Sequence, residues 1–106
     1  MQALGMGNSI GRTSYEVLDY RKDSRPTVDD KVREYFSNMT SKNIAQVNTT
    51  IYSDKDGNIV GSVWHNKIFY SDRFATQIRT KDGIYQDLDG DNKIEQFHKF
   101  KSNFLA

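Results

Sequence analysis

Residues with the chemistry for a reaction or a metal are few in this 106-residue chain, and the densest group is the run Asp87-Leu88-Asp89-Gly90-Asp91-Asn92-Lys93-Ile94-Glu95. Carboxylates that alternate along a tight, glycine-containing loop can converge on Ca2+, a hard cation that takes about six to eight oxygen ligands. Asp87, Asp89, Asp91 and Glu95 are therefore the candidate metal ligands. A solvated acidic hairpin tip produces the same pattern without any ion. The two histidines, His65 and His98, raise a second chemistry. Metal-independent RNA cleavage needs a base for the 2′-hydroxyl, an acid for the leaving oxygen and a cation for the phosphate. His65, His98, Tyr70, Arg73 and Arg79 include those types, but their spacing does not by itself bring them together. With no cysteine, a thiolate nucleophile, a thiolate zinc site and a disulfide framework are all excluded. No nucleophile elbow, phosphate-binding loop, dinucleotide fingerprint or H-E-x-x-H pair occurs.

The acidic run resembles the D-x-D-x-D-G-x-x-D calcium loops of β-propeller repeats, and also the first half of an EF-hand loop. That resemblance implies Ca2+ at these nine residues and nothing about the rest of the chain. It departs from both patterns. Asn92 stands at a usual glycine, Glu95 replaces the propeller aspartate, and His98 stands where an EF-hand places its bidentate glutamate.

Which elements position these residues follows from periodicity. Thr27, after the only proline, is an N-cap, and Asp29 and Asp30 complement the helix dipole in the first turn. Val28, Val32, Tyr35, Phe36 and Met39 form one apolar stripe, so a helix is predicted over 28–39. From Ile44 the period falls to two. Strands are predicted over 44–52, 59–65, 68–80 and 84–88, joined by turns at 53–58, at Asn66-Lys67 and at Lys81-Asp82-Gly83. Residues 14–20 fit either a strand or a helical turn. The tail at 94–105 is read as a short helix in preference to a fifth strand, because Asn92 and Glu95 imitate a capping box. The expected fold is α+β, with one amphipathic helix packed on a four- to five-stranded antiparallel meander. The expected organisation is a flexible leader at 1–13 followed by a single domain at 14–106.

Placing the turn at Asn66-Lys67 pairs Trp64 with Phe69. Alternation then sets Ile59, Gly61, Val63, His65, Ile68, Tyr70, Phe74, Thr76 and Ile78 on a core face. Val60, Ser62, Trp64, Phe69, Arg73, Gln77 and Arg79 fall on the other. Trp and Arg are enriched at binding hot spots, which makes Trp64, Phe69, Arg73, Gln77 and Arg79 the candidate partner-binding residues. They suit a protein partner, or stacked nucleobases beside phosphates.

Composition narrows the classes. Fifteen Lys and Arg against fourteen Asp and Glu leave a net charge of +1, which argues against general nucleic-acid or lipid binding. A mean hydropathy of −0.77 with 12 % aromatics implies a thin, aromatic-rich core. No apolar run approaches a membrane span and no signal peptide opens the chain, so a cytoplasmic location is expected, with non-classical secretion left open. The reading is a small non-enzymatic interaction protein of bacterial or phage type, an adaptor, inhibitor or immunity-type module with a protein partner. The alternatives are an RNA-binding or RNA-cleaving, toxin-like domain using His65, His98 and Arg73, and a calcium-stabilised structural module.

Overall fold

The computed structural model describes residues 14–69 and 71–101. The expected leader and the residues after Lys101 lie outside this range, as does Tyr70. Seven strands form one antiparallel sheet: β1 (Ser14–Asp19), β2 (Thr40–Ile44), β3 (Thr49–Ser53), β4 (Ile59–Lys67), β5 (Phe74–Thr80), β6 (Gly83–Asp87) and β7 (Gln96–Lys101). Their order is β1-β7-β6-β5-β4-β3-β2, and a single α-helix, α1 (Val28–Phe36), connects β1 to β2. The expected four- to five-stranded meander is thus replaced by a seven-stranded sheet. β2 to β7 are sequential, and β1 returns beside the last of them.

Three local readings change with it. The predicted strand 44–52 breaks at Asn48, whose positive φ of 47° follows the 3-10 turn Ala45–Val47. The Asn66-Lys67 turn lies inside β4, and the chain instead reverses over residues 68–73, where Ile68 N–H donates to the Arg73 carbonyl at 3.0 Å. The predicted C-terminal helix is strand β7. Asn92 has φ 69°, incompatible with the extended backbone of an N-cap, and residues 96–101 complete hydrogen-bonded ladders with both β1 and β6. The pairing with the preceding strand β6 and the long-range ladder with β1 together override a short helical spacing.

Sequence chemistry positions α1. The Thr27 hydroxyl accepts the Asp30 N–H at 3.0 Å, and Asp29 and Asp30 occupy the first turn. Val28 and Phe36 are buried, with Val32, Tyr35 and Met39 half-buried beside them. Beneath this stripe runs one row of opposed residues, Leu18–Phe97–Tyr85–Ile78–Val63. All but the edge residue Leu18 are buried. The Tyr85 and Phe97 rings stack at 4.0 Å, and Phe36 stacks on Tyr52 at 4.3 Å. Gly61 lies under Phe36, where a Cβ would come within 2.4 Å of both the Phe36 ring and the Arg79 carbonyl oxygen.

Candidate functional site

Burial separates the two sheet faces. In the central strands, Thr76, Ile78, Thr80, Tyr85, Asp87 and Phe97 are buried on the α1 side. Their neighbours Ala75, Gln77, Ile84, Gln86, Gln96, His98 and Phe100 are all half-buried, and Arg79 is exposed. That intermediate level is what sheet residues give one another when no further layer lies above them. One face is covered by the helix; the other is open among the described residues.

Trp64 belongs to this open face and pairs with Gln77 rather than with Phe69. From Trp64, which Thr49 of β3 opposes on its other side, the row continues through Gln77, Gln86, Gln96 and Asp19. The adjoining row is Ser62–Arg79–Ile84–His98–Val17. Trp64 donates its indole N–H to Ser62 Oγ at 2.8 Å, and the Arg79 guanidinium lies over the indole ring at 4.9 Å. This cation–π contact holds Arg79 over the sheet while leaving its N–H fork available. Gln96 donates to Asp19 at 2.9 Å and lies 3.1 Å from His98 Nε2. Gln86, in a segment expected as a strand, and Gln96, in one expected as a helix, were not among the expected partner-binding residues. The period of two in Gln96, His98 and Phe100 was the available signal.

The remaining predicted partner-binding residues lie elsewhere. Phe69 sits in the 68–73 connection, 79 % exposed. Arg73 ends that connection, with its guanidinium 3.5 Å from the Asp89 carbonyl oxygen. The structure therefore gathers Trp64, Gln77 and Arg79, and moves Phe69 and Arg73 away from them.

The histidines do not converge. His65 shares the α1 face with Thr76, to whose hydroxyl its Nδ1 lies 3.1 Å away, whereas His98 is on the open face. Arg73 stands apart from both, beside the acidic loop. An acid, a base and a phosphate-binding cation are not assembled from these three.

In the acidic loop, one carboxylate oxygen from each of Asp87, Asp89, Asp91 and Glu95 lies within 4.8 Å of the others. The cluster is built on its own hydrogen bonds. Buried Asp87 accepts the N–H groups of Gly90 and Asn92, each at 2.9 Å, and Glu95 accepts the Leu88 N–H. Arg25 pairs with both Asp91 and Glu95, the former at 3.1 Å. The same loop ties down the start of α1, because Val28 N–H donates to the Asn92 carbonyl and Ile94 N–H to that of Pro26. Burial pushes the Asp87 carboxyl above its ordinary range, against the pull of those two N–H groups. Glu95 is raised by burial and by the surrounding carboxylates. Burial raises Asp91 too, but the Lys93 N–H, Asp89 and Arg25 outweigh it and hold its carboxyl low. A guanidinium thus supplies positive charge to two of the four carboxylates that a divalent ion would need.

A third feature is an open groove of about 660 Å³ between α1 and the turn joining β5 to β6, floored by Phe36, Met39, Ile59 and Val60. At its rim the Tyr35 hydroxyl donates to Asp82 at 2.7 Å and lies 3.1 Å from the Tyr85 hydroxyl. Burial and these hydrogen bonds drive the Tyr35 hydroxyl far above its ordinary value, so it stays protonated and is no general base.

The chain matches no protein-family model, no curated protein and no solved structure. No helix among the described residues is long and apolar enough to cross a membrane.

Proposed function

We propose that this chain is a small non-enzymatic interaction module that docks a protein partner on the sheet face opposite α1. The observation that supports it is the open face itself: Trp64 carries Arg79 on its ring, beside an unbroken row of three glutamines. Trp64 offers a large rigid apolar surface, Arg79 a fork suited to a carboxylate, and the amides of Gln77, Gln86 and Gln96 both donors and acceptors. This combination fits a folded protein surface presenting backbone amides and a carboxylate better than a nucleic-acid backbone, since the two rows, followed out to β2, carry one arginine and one lysine, Arg79 and Lys42, at separate places.

The test is a capture experiment with tagged wild type, Trp64→Ala, Arg79→Ala and a control, Lys55→Ala, in the β3–β4 turn. A species bound by wild type and control should lose affinity by about 30-fold in Trp64→Ala, the effect of a hot-spot residue worth about 2 kcal/mol. Equal binding by all four proteins would overturn the reading.

A further inference from the structure

The groove between α1 and the β5–β6 turn lies on the helix side of the sheet, away from the Trp64 face. Ile59 on its floor is 69 % exposed, and Met39 beside it is half-buried. Its rim carries Glu34, Lys81 and Asp82.

The path of the chain along β7 leads to this rim. Phe100 N–H donates to the Asp82 carbonyl at 3.0 Å, so β7 ends against one wall of the groove. Lys99, Gly83 and Thr80 oppose one another across β7, β6 and β5, and the Ser62–Arg79 pair sets Gly61 next in that row. Two residues further out, Lys101 and Ile59 are therefore level at the same end of the sheet. Three strand spacings, about 14 Å, separate them. Beyond Lys101 the sequence reads Ser102-Asn103-Phe104-Leu105-Ala106. Extended chain from Lys101 brings Phe104 within reach at about 10 Å and Leu105 at about 14 Å.

We propose that Phe104 and Leu105 of this same chain dock in the groove, over Ile59, Val60 and Met39. Two adjacent large apolar side chains then meet an apolar floor. Lys101 arrives beside Asp82, with Glu34 on the same rim, and residues 102–106 add no acidic side chain. A segment tethered at the rim acts at an effective concentration of about millimolar, which favours it over a second copy or a free partner. The N-terminal residues are the poorer occupant. Ser14 opposes Lys101 one strand further from the groove, and Leu4, Met6 and Ile10 are each flanked by small or polar residues. Docking here leaves the Trp64–Arg79 face open, so the proposal stands apart from the partner site.

An engineered cysteine pair tests this in the full chain, which has no cysteine of its own. Asn58→Cys combined with Ala106→Cys leaves both apolar partners in place and should close an intramolecular disulfide under mild oxidation. Adding Phe104→Ser and Leu105→Ser keeps the tether and removes the apolar contact, and should slow closure by at least about tenfold. Adding Met6→Ser instead should leave the rate unchanged. Without any cysteine, Phe104→Leu should move the Met39 methyl resonance, because an aromatic ring no longer packs on it. Equal closure rates with and without the two serines, disulfide-linked dimer in place of closed monomer, a rate set by Met6, or an unmoved Met39 resonance would each overturn the proposal.

Discussion

Asp87 shows how one side chain can hold a loop, and through it a helix. Its carboxylate is buried and receives two backbone N–H groups, fixing the turn whose Asn92 carbonyl then accepts the first amide of α1. Asp87→Ala should cost about 3 kcal/mol in urea unfolding, since two charge-assisted bonds are lost and two N–H groups are orphaned. The pH response has a definite sign. Burial raises the folded-state values of Asp87 and Glu95, so the folded chain holds protons that the unfolded chain has released above the ordinary Asp value of 3.8. Stability contributed by these groups is present below their unfolded values and lost as pH rises through the folded ones. Asp91, lowered, acts only below 3.8, where its contribution is lost on acidification. Above the ordinary Asp value of 3.8, as pH rises through the raised folded-state value, the unfolding midpoint should therefore decline less steeply in Asp87→Asn than in wild type. Identical slopes would refute the assignment. The acidic spacing was legible in the sequence, but Arg25 as its counter-charge was not. Arg25 and Glu95 are far apart in the chain, and only the packing of α1 against the β6–β7 connection brings them together.

At the level of elements, the helix was the most legible part, because its cap and its apolar stripe are local signals acting within a few turns. The turns at Asp56-Gly57 and Lys81-Asp82-Gly83 were equally local; Gly57 takes a φ of +86°, and Asp54 accepts the Asp56 and Asn58 N–H groups. The pairing of β4 with β5 was misread, with the turn placed too early. The true register differs by an even slip, so Trp64, Gln77 and Arg79 still share one face, but Phe69 and Arg73 fall in the connection and Val60 packs against the helix-side core. The helix–sheet contact rests on Gly61. Gly61→Ala should destabilise by about 1–3 kcal/mol in a thermal or urea melt. Combining it with Phe36→Leu should not restore stability, since the Arg79 backbone carbonyl still obstructs the methyl group. A neutral Gly61→Ala would show that the sheet yields at this point.

The described residues form a single wide sheet with one α-helix on one side, and its stability must grade from centre to edge. Ile78 and Tyr85, in the buried row beneath α1, belong to strands paired on both sides, whereas β2 is exposed at all but Ile44 and paired on one. Native-state hydrogen exchange should accordingly be slowest in β5 and β6 and faster in β2 by at least about two orders of magnitude. Uniform protection across the sheet would contradict this gradient.

Sequence alone determined the start of α1 with its Thr27 cap, its apolar stripe and the two glycine turns, while the helix expected to reach Met39 ends at Phe36. Each follows from a repeat or a turn chemistry that acts over a few residues. Tertiary structure alone decided that β1 and β7 are strands, that Phe69 and Arg73 leave the Trp64 face, that the histidines lie on opposite sides, and that Arg25 closes the acidic loop. Those outcomes depend on hydrogen-bond and charge partners at opposite ends of the chain, and no local period encodes which distant partner a segment will find.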